Sequence, residues 1–167
     1  TTRSSGRSTP NPTDIREHFK YGAIGTEERA GIPYWIWRVL PIVFADKLPN
    51  RPGKGWEKLG FIYESPDRDH PIGTTHTKYG LADVVGLNCA TCHTGTLRDA
   101  PGAMRRIVLG MPSHGIDVQG YLRFLTACAN DPRFTADNLI EAIQKINPDF
   151  GFFDRLGYRF LAVRRTK

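Results

Sequence analysis

The stretch "LNCATCHTG", residues 87–95, constrains this 167-residue chain more than any other. Cys89 and Cys92 stand two residues apart, and His93 follows directly. Three chemistries use paired thiols at this spacing: a structural zinc clip, a redox dithiol and the covalent attachment of a haem. A zinc site needs four ligands, normally as two closely spaced pairs. No second Cys or His pair follows at that spacing, and His114 and Cys128 stand alone. A thioredoxin-like dithiol belongs to an alternating α/β pattern. Here Asn88 precedes the motif, in a stretch that reads as a helical turn or two.

Cys-x-x-Cys-His is the attachment pattern for a c-type haem, and that reading accounts for every residue of the motif. On a helical turn, two intervening residues let both sulfurs reach the vinyl groups on one porphyrin edge. The adjacent histidine then ligates the iron, and the small Ala90 and Thr91 leave room for the ring. The expectation is one covalent haem c, with thioethers at Cys89 and Cys92 and with His93 as the proximal iron ligand. Attachment of this kind is made outside the cytoplasm. The reading therefore implies an exported, periplasmic protein whose signal peptide has been removed.

The far side of the iron decides what the haem does. A methionine or histidine there favours electron transfer, whereas an open position admits oxygen or peroxide. The candidates are Met104, Met111, His70, His76 and His114. Met111 and His114 share one loop, "GMPSHG", bent by Pro112, and are the leading candidates for sixth ligand. Arg98, Arg105 and Arg106 follow the motif closely. They read either as partners for haem propionates or as solvated surface residues. The third cysteine, Cys128, lies on the apolar face of "YLRFLTACAN" and reads as a small buried hydrophobe.

The length suits one domain with a real core. Hydrophobic residues make up 40% and charged residues 24%, which is ordinary for a globular protein. The net charge of +6 is scattered, with no basic run interleaved with aromatics. That pattern argues against nucleic acid. It leaves redox protein partners, with an acidic face or within a membrane-associated complex. The most apolar window, "IPYWIWRVLPIVF" (32–44), is too short to span a bilayer and is broken by Arg38 and Pro41. No transmembrane segment is expected.

Along the chain, residues 1–13 read as a flexible arm rich in Ser, Thr, Gly and Pro, and 14–167 as a single haem domain. Helices are expected at 14–20 and from Pro33 to Phe44, the latter kinked or ended by Pro41. Residues 46–80 read as a long loop system with a short strand at Phe61–Tyr63, and 95–113 as loop again. A helix over 116–129 presents Val118, Tyr121, Leu122, Leu125 and Cys128 at three- and four-residue spacing. Thr135 caps the next helix, with Leu139, Ile140, Ile143 and Ile146 on one face. A last helix is expected to bury Phe153, Leu156, Phe160 and Leu161. The expected class is mainly α: a cytochrome c-like helical haem domain with long loops and little strand.

Three blocks, "HFKYGAIGTEERAGIPYWIW", "VGLNCATCHTGTLR" and "QGYLRFLTACANDPRFTADNLI", carry a resemblance. Together they resemble a group of bacterial exported haem proteins related to rubber oxygenase and, more distantly, to the di-haem cytochrome c peroxidases. The resemblance implies longer proteins with two c-type haems, one open to substrate or oxygen and the other relaying electrons. It would make Cys89, Cys92 and His93 the attachments and proximal ligand of the first haem. No second Cys-x-x-Cys-His occurs in the chain. The chain is thus either the N-terminal haem portion of a longer protein or a shortened relative with one haem.

The favoured expectation is a c-type cytochrome carrying single electrons through one covalent haem. Two others stay open: the haem domain of an oxygenase or peroxidase with an open distal iron site, and a haem-bearing accessory subunit of a larger complex.

Overall fold

Helix α3, Tyr34–Val43, organises the larger of two hydrophobic clusters in the computed structural model, which describes residues 14–25, 27–79 and 82–162. The expected arm at 1–13 lies outside the described residues. Pro33 precedes the first helical residue, and Pro41 sits inside the helix without ending it. Its buried side chains Ile36, Trp37, Val39 and Leu40 meet Leu139 and Ile143 of α5, Ala136–Ile146. Fully burying one such side chain stabilises a fold by roughly 1.5–3 kcal/mol. Helix α4, Val118–Ala129, adds Tyr121, Phe124 and Cys128 to the same cluster. The Thr135 hydroxyl accepts from the Asn138 backbone N–H at 3.3 Å, so the expected cap forms. Asp117 caps α4 through Gly120 N at 2.6 Å.

A 3-10 turn at Gly55–Leu59 delivers Trp56 to the centre of this core. Its ring stacks on Trp37 with centroids 4.6 Å apart, and the Trp37 indole N–H donates to the Tyr121 hydroxyl at 3.1 Å. Such offset aromatic packing adds to simple area burial.

The mainly helical expectation is overturned. The described residues are 45% helix and 15% strand, with two small antiparallel sheets, a mixed α/β architecture. Strands β1 (Ile32–Pro33), β2 (Thr74–Tyr79) and β3 (Ala82–Leu87) form the first sheet in the order β1-β3-β2. The β2–β3 register runs from Thr74 opposite Leu87 to Tyr79 opposite Ala82. Strands β4 (Thr94–Leu97) and β5 (Arg106–Leu109) form the second, with Thr94 opposite Leu109 and Leu97 opposite Arg106. The physical reason lies in β-branched residues. Thr74, Thr75, Val84 and Val85 favour a pleated surface, and the two threonines are buried although a hydropathy reading counts them polar. Four-residue strands such as β4 and β5 are too short to show a period.

Three further expectations are corrected. Phe61–Tyr63 is not a strand. The motif sits between two strands rather than in a helical segment. Phe153, Leu156 and Phe160, expected to be buried, are exposed, and the side chain of Leu161 lies outside the described ones. Instead α6, Phe152–Gly157, runs into a π-turn at Tyr158–Ala162, whose Tyr158 packs edge-on against Phe150 at 5.1 Å. Short α1, Ile15–Tyr21, and α2, Glu27–Ala30, pack on the first sheet. Among the described residues no helix is long and apolar enough to cross a membrane.

Candidate functional site

The Cys-x-x-Cys-His segment is the joint between the two sheets. Strand β3 ends at Leu87, a single 3-10 turn covers Cys89–Thr91, and β4 begins at Thr94. Asn88 starts the turn: its side-chain oxygen accepts from Ala90 N at 2.9 Å. Its amide group donates to Phe19 O at 3.2 Å and Gly22 O at 3.0 Å, tying the turn to the end of α1. The His93 N–H closes the turn on Cys89 O at 3.0 Å.

Gly73 braces the turn from behind. Its carbonyl accepts from Asn88 N at 2.9 Å and from the Thr91 hydroxyl at 2.6 Å. Its own N–H donates to Lys20 O at 2.9 Å. Ala90 belongs to a second hydrophobic cluster with Tyr21 and Ile72, flanked by Phe19, Ile62 and Ile107. The consequence is a division of labour within five residues. Ala90 and Thr91 are buried, whereas Cys89, Cys92 and His93 are all exposed.

The loop carrying the two leading ligand candidates is bonded to the motif's main chain. Gly110 N donates to His93 O at 2.8 Å, and Ser113 N to Cys92 O at 2.9 Å. The Met111 side chain lies against Gly95, where a Cβ would meet Met111 Cε at 3.0 Å and Pro112 O at 3.1 Å. His114 instead lines a cavity of about 480 Å³ together with Phe61, Ile62, Gly95, Arg105 and Ser113. Met104, 91% exposed, also lines it. A second cavity of about 480 Å³, bounded by Arg16, Lys20, Leu97 and Arg106, shares the walls Glu64 and Ile107.

The remaining histidine candidates have structural partners. His70 Nδ1 lies 2.8 Å from the Thr74 hydroxyl, which itself donates to Pro71 O at 2.7 Å. Nδ1 must therefore carry the proton in that bond. Burial, helped by the neighbouring His76, pushes the His70 imidazole down to about 4. His76 stacks on Tyr34 at 3.9 Å, with Nε2 3.4 Å from Asp83. The aromatic face of α3 belongs to the larger core, so Tyr34, Trp35 and Trp37 lie in a different cluster from Ala90.

Electrostatics beside the turn centre on Glu64. It accepts from Lys20 Nζ at 2.7 Å and from the Tyr21 hydroxyl at 3.1 Å, and Lys20 also pairs with Glu17. Burial pushes the Glu64 carboxyl up, but Lys20, Tyr21 and Arg68 together outweigh it and hold the group below its ordinary range. Cys128 is fully buried, and burial raises its thiol to about 12.

The donor set fits a covalent haem. Such a group brings its own four nitrogens and asks the chain for two accessible thiols and one imidazole. Cys89, Cys92 and His93 offer that set from one anchored turn. Among the described residues no three His, Cys, Asp or Glu side chains are grouped to hold a bare metal ion. Sequence reasoning missed Asn88 and Gly73. Asn88 carried a signal, because Asn is favoured as a capping residue; Gly73 carried none, because its partners are remote in sequence. Compared with family models, curated proteins and solved structures, the chain matches none.

Proposed function

We propose that the chain holds one covalent haem c through Cys89 and Cys92, with His93 as proximal ligand, and works as a c-type cytochrome passing single electrons. One observation carries the reading. The two thiols and the imidazole are exposed on a turn whose other two residues are buried. When bound, the group supplies an iron that alternates between ferric and ferrous states.

The chain's own residues do the positioning. Asn88 and Gly73 fix the turn from behind, so the thiols and the imidazole project from a rigid base. The bond from Gly110 to the His93 carbonyl restrains the residue that must hold the iron. Phe61, Ile62 and Ile107 give the neighbouring cavity apolar wall, while His114 and Arg105 give it polar groups. Met111 and His114 both remain candidate sixth ligands. Met111 lies against Gly95, whereas His114 lines the cavity.

The proposal extends to an exported, periplasmic location, to redox protein partners, and to kinship with the bacterial haem proteins related to rubber oxygenase and the di-haem peroxidases. The motif supports all three.

The deciding experiment is expression with a periplasmic c-type maturation system, followed by denaturing electrophoresis with haem staining and absorption spectra in both redox states. Haem that survives denaturation, and is lost in the Cys89→Ala/Cys92→Ala variant, is expected. A low-spin reduced spectrum unchanged by carbon monoxide supports electron carriage, and its conversion to high spin in His114→Ala or Met111→Ala identifies the ligand. A protein that is high-spin when ferric and whose ferrous form binds carbon monoxide readily refutes the closed carrier in favour of an oxygenase or peroxidase domain. Protein that never acquires covalent haem refutes the reading altogether.

A further inference from the structure

The far end of the β4–β5 hairpin gathers arginines, of which Arg105 also lines the cavity beside the motif. Leu97 pairs with Arg106 at the last rung of the ladder, and Arg98 and Arg105 continue the two strands beyond it. Arg16 joins them, because it lines the same cavity as Leu97 and Arg106. Among the described residues Arg16, Arg98 and Arg105 make no ion pair, and Arg106 reaches the highly exposed Asp99 only at 3.8 Å. Glu64 lines both cavities but is engaged by Lys20, Tyr21 and Arg68. Two apolar side chains stand among the arginines: Leu97, 42% exposed, and Met104. A strand rises about 3.3 Å per residue, so the hairpin sets this patch roughly 13–16 Å from His93.

We infer that this hairpin end is the docking surface for an acidic-faced one-electron protein partner; the inference rests on the haem reading above. Unpaired arginines around a small apolar centre match the chemistry of a transient interface, where charge speeds encounter and a few apolar contacts fix orientation. Arginine suits such a rim because its fork meets carboxylates in a bidentate way. Redox encounters of this kind bury little area, which a hairpin tip can supply. A lipid surface fits less well. Peripheral proteins enter bilayers through an amphipathic helix with a broad apolar face. This patch is a hairpin end with two apolar side chains.

The test uses the haem-loaded full chain with reduced acidic [2Fe–2S] ferredoxin as the probe donor, followed by stopped-flow absorbance. Arg98→Glu/Arg105→Glu should slow second-order reduction about tenfold at low salt, with the difference shrinking as salt screens it. Arg123→Glu on α4 should leave the rate unchanged. Neutral hydroquinone should reduce all three proteins equally, which shows that the fold and the iron are intact. An unchanged ferredoxin rate overturns the inference. So does loss of haem or a spectral shift in the double variant, which would make these arginines cofactor partners. Charge-dependent sedimentation with phosphatidylglycerol vesicles, without an effect on ferredoxin, overturns it in favour of lipid. If the wild-type chain carries no haem, the functional reading fails separately. Calorimetric titration of ferredoxin into the haem-free chain then decides the patch: salt-sensitive binding lost in the double variant supports it, and no binding overturns it.

Discussion

Replacing Gly73 by alanine should loosen the turn that presents Cys89, Cys92 and His93, and the size of the effect follows from two separable terms. Gly73 adopts φ +89°, a left-handed conformation that costs an L-residue about 1–2 kcal/mol. An added Cβ would also overlap the backbone nitrogen and Cα of Thr91, main-chain atoms that no rotamer change can clear. Relief requires the turn to move, which typically costs ~1–3 kcal/mol when a packed site is overfilled. Movement also strains the Thr91 bond to Gly73 O at 2.6 Å. The expected total is about 2–5 kcal/mol. Gly102 supplies the control. It adopts φ +84° with nothing within 4 Å of its would-be Cβ, so Gly102→Ala should cost only the backbone term, about 1–2 kcal/mol. Equilibrium urea unfolding of the two variants measures the difference directly. Destabilisation of Gly73→Ala within 1 kcal/mol or so of Gly102→Ala would refute the claim that Gly73 braces the turn.

Three other outcomes follow from the same geometry. In the haem-free folded protein, iodoacetamide should modify the exposed Cys89 and Cys92 and spare buried Cys128 until denaturant is added, as read by peptide mass spectrometry. His70 is held neutral well below its ordinary range, so the unfolded chain takes up a proton first as the pH falls. Stability should therefore drop between about pH 6.5 and 4, by roughly 3 kcal/mol if His70 acts alone, and His70→Gln should flatten that limb of the acid-unfolding curve. Among the described residues the buried Thr94 hydroxyl has no hydrogen-bond partner, whereas that of Thr91 has one. Thr94→Val should be neutral or stabilising and Thr91→Val should cost about 1 kcal/mol; the reverse order in thermal melts would contradict the assignment.

The sequence reading found the features governed by local rules and missed those governed by long-range pairing. The helix 136–146 and its Thr135 cap were legible because both the period and the capping chemistry lie within a dozen residues. Cys128 as a buried hydrophobe followed from the same helical spacing. The two sheets were not legible. Thr74 and Thr75 look like loop residues until Gly86 and Leu87 are placed opposite them. The C-terminal segment misled in the other direction: Phe153 and Phe160 have core composition yet stand exposed, while Tyr158 between them does the packing. At the site, the residues that would touch a haem were visible as a motif. The residues that aim them were not, since Phe19, Gly22 and Gly73 reach Asn88 and Thr91 only in the folded chain.

That dependence bears on the order of events in a newly made chain. Asn88 is tied to carbonyls 69 and 66 positions earlier, so the turn has no preset shape until the N-terminal third has docked. Contacts of such separation close late, after their loop entropy has been overcome. On the haem reading, a ligation enzyme arriving before that moment would meet a flexible peptide whose thiols it can orient itself. One arriving afterwards meets a fixed turn already facing outward. The fold thus leaves the nine-residue stretch from Leu87 to Gly95 a window in time as well as a place in space.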